Sequence, residues 1–182
     1  MSPIARFELG IAWPVAPRPF YEEAFGSWLG RIASRYAISV EMLFEQSGLE
    51  NLPTLTNASW ILFPPLEPTR LDTLAKLSRI TDDRLYHMQT PVEWMIWRKH
   101  LLYCHACLAL NHADVFAPVW RQEWLDPNVD YCRAHRKALD RVPTSVFAKT
   151  ATMAMAIKAV YKVRAKRHKS HYMEYIYCKG RH

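Results

Sequence analysis

The chain has 182 residues, enough for one hydrophobic core or for two small modules that share an interface. Hydrophobic residues make up 50% of it, including seven Trp, and this composition excludes an intrinsically disordered protein. The formal net charge of +7 favours an anionic partner, nucleic acid first, while only five Gly and no G-x-G-x-x-G or G-x-x-x-x-G-K-[ST] motif exclude a glycine-rich phosphate loop.

The cysteines and the apolar segments indicate the cellular compartment. The four Cys have the spacing of metal ligands rather than of a disulfide framework, which favours a reducing environment. The N-terminus carries an early acidic residue, Glu8, and has no apolar segment typical of a secretory signal. No stretch approaches the roughly 18 apolar residues of a membrane span. We therefore expect a cytoplasmic protein without membrane contact.

Residues 1–20 predict an extended N-terminal arm, because prolines at positions 14, 17 and 19 restrict the backbone and disfavour helix in the residues before them. A helical domain is then expected over residues 21–90. Its first helix should run from about Glu22 to Tyr36, where apolar residues recur along one face. Glu22 and Glu23 are expected in the first turn, where the helix dipole favours acidic side chains.

A second, shorter helix is expected to follow a brief turn. Ser39 is a suitable N-cap, Met42 and Leu43 are its apolar residues, and Gly48 would end it. Two helices joined by a short turn are compatible with a helix-turn-helix that reads DNA. An ordinary αα-hairpin fits the same pattern, and both interpretations stay open at this stage.

Residues 53–68 are rich in proline and predict a connector whose apolar centre, Trp60 to Phe63, packs into the core. A second helical pair should follow it. Apolar residues between Leu71 and Ile80 predict the first helix, and Thr81 is the expected N-cap of a short second helix that contains Met88.

A zinc-binding module is predicted over residues 91–142. Two C-x-x-[CH] pairs, separated by about two dozen residues, supply three thiols and one imidazole, a complete tetrahedral shell for one structural Zn²⁺ per chain. The expected ligands are Cys104, Cys107, Cys132 and His135. The alternative is a set of four unrelated residues, with the nearby His105 and His112 blurring the ligand set. A shell in which Cys178 replaces His135 is disfavoured by its distance along the chain.

Four tryptophans flank these ligands: Trp94, Trp97, Trp120 and Trp124. Small zinc modules contain little aliphatic core, so we expect these indoles to cover the metal site rather than to stack on bases.

Residues 143–182 predict a basic C-terminal helix and tail. Apolar residues at intervals of four predict its buried face: Phe147, Ala151, Met155, Ala159 and Val163. The candidate contacts to a nucleic-acid backbone are Lys158, Lys162, Arg164, Lys166, Arg167 and Lys169. A solvated, basic helix end without a partner accounts for the same residues equally well. The predicted fold class is thus mainly α, with a helix-turn-helix-like unit, a small zinc-finger or ribbon module and a basic C-terminal helix.

The order of these motifs resembles the TniQ family of transposon-encoded proteins. The segment from Glu23 to Ala33 (EAFGSWLGRIA) is similar to the opening of that family, and residues 74–88 are similar to its "LA-LTG…L–MT" stretch. The two cysteine pairs, with Trp120-Arg121 and Trp124 between them, match its "CP-CL … W … CP-H—L" pattern. The resemblance covers roughly residues 14 to 140. His105 and Arg133 replace the usual proline of each pair, and a basic helix follows where many relatives have a further C-x-x-C pair and domain.

The resemblance implies a transposition targeting adaptor. Such proteins connect a target-recognition component, either a DNA site or an RNA-guided CRISPR effector, to the transposon AAA+ ATPase and transposase, and some are homodimers. The alternative is a stand-alone zinc-containing helix-turn-helix DNA-binding regulator. We expect no enzymatic activity, since no nucleophile with an evident base and no acidic metal cluster is present; Glu123 is the only carboxylate near the zinc loop to consider.

Overall fold

The computed structural model describes residues 12–49, 53, 55–109 and 118–179, and the side chains among them up to residue 169. About half of the chain is helical, with seven α-helices and few strands in the described residues, so the prediction of a mainly α protein is confirmed. The helices are α1 Phe25–Tyr36, α2 Val40–Gln46, α3 Pro68–Ser78, α4 Asp82–Met88, α5 His105–Ala109, α6 Ser145–Ala148 and α7 Met153–Lys179. The strands are β1 His100–Tyr103, β2 Tyr131–Cys132, β3 Lys137–Ala138 and β4 Asp140–Pro143.

Helix α1 lies at the centre of the molecule. Every residue from Phe25 to Ala33 is buried, and the helix packs against α2, α7 and a 3₁₀ turn at Ser59–Ile61. It begins at Phe25, so the expectation that Glu22 and Glu23 occupy its first turn was wrong. Both residues precede the helix: Glu22 lies in a turn, and Glu23 forms an isolated antiparallel bridge with Arg121.

The turn between α1 and α2 is short because Ala37 adopts a left-handed conformation (φ 55°) that ends α1. The Ser39 hydroxyl then accepts a hydrogen bond from the Met42 amide, which confirms Ser39 as the N-cap of α2. Helix α2 buries Val40, Leu43 and Phe44 against the core, whereas Met42 is exposed. These contacts describe a packed helical pair and do not establish a DNA-reading helix-turn-helix.

The segment from Trp60 to Phe63 is completely buried, as the sequence predicted. It packs so closely on α1 that Gly26 and Gly30 have no room for a side chain. A Cβ atom on Gly26 would meet the Trp60 carbonyl oxygen and would lie 2.6 Å from the Ile61 oxygen. These two glycines therefore allow the proline-rich connector to contact the centre of the helix.

Helices α3 and α4 form the second predicted pair, again with a left-handed residue, Arg79, between them. The Thr81 hydroxyl accepts a hydrogen bond from the Arg84 amide and caps α4, as expected. The pair is fastened to the N-terminal segment, because the Trp13 amide donates to the Leu77 carbonyl at 2.8 Å. The described part of the expected arm, residues 12–20, has neither helix nor strand.

The C-terminal region differs from the prediction of a single helix whose buried face contains apolar residues at intervals of four. A break at residues 149–152 separates the short α6 from α7. The face of α7 that enters the core contains Met153, Ala156, Ile157 and Val160, whereas Met155 is 49% exposed. The buried positions follow an i, i+3, i+4, i+7 pattern because the helix restarts at Met153 and its register is set by the contact with α1.

One hydrophobic core joins all these elements. It includes Trp28 of α1, Leu101 of β1, the loop residue Trp120, and Val160 of α7. Residues of the predicted segments 21–90, 91–142 and 143–182 therefore pack together. The division into segments 1–20, 21–90, 91–142 and 143–182 stays a proposal. None of the described helices combines the length and hydropathy that a membrane crossing needs.

Candidate metal centre

The first cysteine pair lies where β1 passes into α5. Strand β1 pairs antiparallel with β4, with Tyr103 opposite Asp140, and this places the next residue, Cys104, at the end of a two-stranded sheet. The chain then turns immediately into α5, and the Leu108 amide donates to the Cys104 carbonyl. Cys107 lies one helical turn after Cys104, so both thiols reach the same point in space.

The second pair lies on a tight hairpin. Cys132 ends β2, which pairs with β3, and residues 133–136 form the turn that carries His135. Arg136 completes this turn with φ 47°, a left-handed conformation. The turn brings the His135 ring back over its own strand, towards Cys132.

The four side chains meet at one point, with all ligand atoms within 4.8 Å of one another. The Nδ1 atom of His135 lies 3.5, 3.2 and 3.6 Å from the sulfurs of Cys104, Cys107 and Cys132. The sulfurs of Cys107 and Cys132 are 3.7 Å apart, too far for a disulfide, whose S–S bond is about 2.0 Å. A tetrahedral zinc ion with ordinary bond lengths requires S···N of about 3.6 Å and S···S of about 3.8 Å. The donor set and its spacing therefore fit one tetrahedral metal ion.

The thiols in this cluster have unequal acidities. Burial, together with hydrogen bonds to the other two thiols, raises the pKa of the Cys107 thiol to about 12. Burial also opposes ionisation of Cys132, but hydrogen bonds from the backbone amide and ring of His135 and from the neighbouring thiols lower its pKa to about 7. A metal ion would have to displace the remaining protons, so its affinity should fall as the pH is lowered.

The tryptophans around the cluster have two different environments. Trp120 and Trp124 are buried, 5.4 Å apart between ring centroids, and Trp120 also contacts Tyr103 and Phe147. The prediction that indoles pack rather than stack on bases is confirmed for these two. Trp97 departs from it, because 67% of this residue is exposed.

A buried polar network connects this region to α1, and sequence reasoning missed it. The Glu23 carboxylate accepts hydrogen bonds from Arg31 at 2.6 Å and from the Ser27 hydroxyl at 2.9 Å. The Ser27 oxygen in turn accepts from the Trp120 amide at 2.9 Å. Burial raises the pKa of Glu23 to about 7, although the charge of Arg31 and the hydrogen bonds from Phe20, Ser27 and Arg31 lower it. Residues 23, 27 and 31 recur at intervals of four, but polar residues at this spacing ordinarily indicate a solvated face, so the sequence carried no signal of their burial.

The six candidate nucleic-acid contacts all lie on α7, but in different environments. Lys158, Lys162, Lys166, Arg167 and Lys169 are exposed. Arg164 is partly buried, with its side chain 27% exposed and its Nε atom 4.0 Å from an oxygen of Asp140 on β4. Burial and Asp140 raise the pKa of Tyr103 to about 12, and the positive charges of Arg164 and Arg167 oppose this.

A comparison with models of protein families shows which family the chain belongs to. The family model described as TniQ matches residues 14–139, most of the chain. The chain belongs to the TniQ family. A search of curated proteins found no match.

The TniQ match contains α1 to α5, strands β1 to β3 and the complete Cys₃His cluster, and it ends one residue before β4. It ends before α6 and α7, so the basic helix lies outside the matched region. Membership of the TniQ family implies a transposon-associated role.

The described residues contain one candidate metal cluster, and Glu123 forms a surface ion pair outside it. In the part of the chain that the structure describes, Cys₃His is the single group of three or more side chains that could hold a metal, and its four donors complete a tetrahedral shell. The Glu123 side chain is 46% exposed and forms an ion pair with Arg121 at 3.4 Å. The sequence analysis considered two other possible ligands, and both His112 and the side chain of Cys178 lie outside the part of the chain that the structure describes.

Proposed function

We propose that this chain is a transposition targeting adaptor, which links a target-recognition component to the AAA+ ATPase and transposase of a transposon. The observation that carries the proposal is the TniQ match over residues 14–139, because it spans both the helical pairs and the Cys₃His cluster. The target-recognition component is a DNA site or an RNA-guided CRISPR effector. A homodimer and a purely non-catalytic role are parts of the same proposal.

The proposal includes one structural Zn²⁺ per chain, held by Cys104, Cys107, Cys132 and His135. The match between the observed S···N and S···S distances and those of a tetrahedral zinc ion supports it. When bound, the ion would hold the β1–α5 turn and the β2–β3 hairpin together. With four protein ligands it has no open position, so it would stabilise the fold rather than take part in a reaction.

A partner surface is proposed where the helical pairs meet the segment before α1. Tyr21 is 89% exposed, and the Arg84 guanidinium lies 5.4 Å from the centre of its ring. A cavity of about 650 Å³ lies beside it, lined by Pro19, Tyr21, Asp83, Arg84, His87 and Gln122. An exposed aromatic ring next to a cavity that has acidic and basic side chains at its rim is typical of a protein-binding surface.

The regulator alternative is weakened by the charges of α2. A helix that reads DNA in a groove usually presents basic or amide side chains to the bases and phosphates. Helix α2 contains Glu41 and Glu45 and no Lys or Arg, and Glu45 is exposed. We therefore place the nucleic-acid contact on α7 rather than on α2.

The test is complex formation with the AAA+ ATPase encoded by a transposon that carries a TniQ gene of this type. The purified proteins are mixed with duplex DNA and a slowly hydrolysed ATP analogue and separated by size-exclusion chromatography. We expect co-elution, weakened by Tyr21→Ala and retained by the matched change Tyr131→Ala, since Tyr131 is also exposed (49%) but lies on the zinc hairpin. No co-elution, together with a specific-to-nonspecific DNA affinity ratio above about 10³, would support the regulator instead.

A further inference from the structure

Helix α7 has two faces of different character along its described side chains. Its first turns pack against α1 and β4, with Met153, Ala156, Ile157 and Val160 in the core. No Asp or Glu occurs between residues 144 and 173, so the charge of this helix up to residue 169 is entirely positive. The positions of the basic residues relative to the core then decide which of them can meet a partner.

Four lysines form one stripe. With about 100° of rotation per residue, Lys158, Lys162, Lys166 and Lys169 fall within about 80° of each other around the helix axis. The centre of this arc lies about 170° from the centre of the buried face. All four lysines are exposed, so the stripe points away from the rest of the molecule.

The two arginines lie on the other side of the helix. By the same rotation, Arg164 and Arg167 project within about 40° of Val160, on the side that faces the metal-cluster region. Arg164 approaches Asp140 of β4 and is only 27% exposed. Beside it, the ring of Tyr161 contacts His105 edge-on, 5.6 Å between centroids, which fastens the same stretch of α7 to α5. Arg164 is therefore placed to hold the helix against the strands, and Arg167, although exposed, lies on the same side of the helix.

We infer that the stripe formed by Lys158, Lys162, Lys166 and Lys169 binds the phosphate backbone of duplex DNA, and that Arg164 and Arg167 instead position α7 on the body of the protein. The stripe is about 16 Å long, a length that covers several phosphates of one strand. Binding of single strands usually needs aromatic rings on which the bases stack, and none of the exposed positions in this arc carries one up to residue 169. A straight row of ammonium groups fits a rigid duplex backbone without base contacts.

The test compares two double variants, each of which removes two positive charges from a different face of α7. Lys162→Gln with Lys166→Gln removes two charges from the stripe, and Arg164→Gln with Arg167→Gln removes two from the opposite side. Binding to a labelled 30-bp duplex of arbitrary sequence is measured by fluorescence anisotropy over a range of salt concentrations. For the lysine variant we expect roughly tenfold weaker binding and a slope of log K against log[salt] reduced by about 2. For the arginine variant we expect a nearly unchanged slope and a lower melting temperature.

A charge-retaining variant and two other nucleic-acid probes test the same inference. Lys162→Arg with Lys166→Arg keeps the charge and should keep the salt slope, and circular dichroism confirms that each variant is folded. Equal loss of slope in both glutamine variants would overturn the assignment of the two faces. Tighter binding to single-stranded DNA or to duplex RNA of equal length would overturn the choice of duplex DNA.

The inference rests on the proposed nucleic-acid contact of α7 and not on the adaptor role. If the lysine variant binds duplex DNA like the parent while the ATPase still co-elutes with the chain, the stripe is wrong and the adaptor proposal stands. If the lysine variant loses duplex binding and the ATPase does not co-elute with the parent, the stripe is supported and the adaptor proposal fails.

Discussion

Single residues differ sharply in what they contribute to the candidate metal centre. Cys104 and Cys132 are buried, whereas Cys107 and His135 are partly exposed. His105 and His135 are both half-buried histidines near the cluster, but only His135 has a ring nitrogen within 3.6 Å of the three sulfurs. Proximity in sequence to the cysteines therefore does not make a histidine a ligand; the hairpin turn that carries it does.

We expect Cys104→Ser and His135→Ala each to reduce bound zinc from one equivalent per chain to well below one. Each change removes one of four donors and leaves the others without a complete shell. Elemental analysis of the purified protein measures the zinc content. His105→Ala is the matched control, because it removes a neighbouring imidazole outside the cluster and should leave the zinc content unchanged. Retention of a full equivalent in His135→Ala would contradict the ligand set.

Glu23 should make the stability of the protein depend on pH. Its pKa is raised in the folded state from 4.5 to about 7, so the folded protein binds this proton more tightly than the unfolded chain. The resulting stabilisation is complete below about pH 4.5 and is lost as the pH rises through 7. Each pKa unit corresponds to about 1.4 kcal/mol.

Urea unfolding of the parent and of Glu23→Gln between pH 4.5 and 8 measures this effect. The unfolding free energy of the parent should fall relative to that of Glu23→Gln as the pH rises, because the amide does not titrate. Loss of metal at low pH affects both proteins alike and cancels in the difference. Parallel pH profiles would show that Glu23 does not titrate in this range.

At the scale of secondary-structure elements, α1 and the 3₁₀ turn at Ser59–Ile61 approach each other so closely that no side chain fits between them at Gly26. We expect Gly26→Ala to destabilise the protein by about 1–3 kcal/mol, because the new methyl group would meet backbone atoms of Trp60 and Ile61. This loss outweighs the gain of about 1 kcal/mol that alanine brings to a helix.

Gly30→Ala is the comparison for this prediction. Its Cβ atom would lie 2.6 Å from the Trp60 ring and 3.2 Å from the Met153 Cβ, so the obstruction comes from side chains that can shift. We expect a smaller loss of stability than for Gly26→Ala, measured by thermal unfolding of both variants. The opposite order would mean that the connector moves more easily than the tryptophan ring.

For the whole molecule, the metal cluster and the helical pairs are joined by a row of aromatic contacts. Tyr103 contacts Trp120, Trp120 contacts Phe147, and Phe147 contacts Trp60 beside α1, with ring centroids between 5.1 and 5.8 Å apart. The hydrogen bond from Trp120 to Ser27 adds a polar link to α1. The predicted zinc module therefore shares its core with the rest of the described chain.

Removal of metal with a chelator should consequently lower the stability of the entire protein in a single transition. Far-ultraviolet circular dichroism reports helix, and tryptophan fluorescence reports the environment of Trp120. The two signals should agree with each other in midpoint both before and after chelation, and the shared midpoint should be lower after chelation. Reconstitution with Zn²⁺ should restore the original midpoint. Two separate transitions after chelation would show that residues 91–142 unfold as an independent domain.

Features that depend on short-range chemistry were predictable from the sequence. Ser39 and Thr81 were predictable as helix caps because a hydroxyl reaches an amide three residues away, and the two C-x-x-[CH] pairs were recognisable because a two-residue gap lets both donors of a pair face one ion. The tertiary structure alone decided where α1 begins, which face of α7 enters the core, that Trp97 is exposed and that Glu23 is buried beside Arg31. These features depend on which surfaces meet across the fold, and the free energy of burial is set by neighbours that lie far away along the chain.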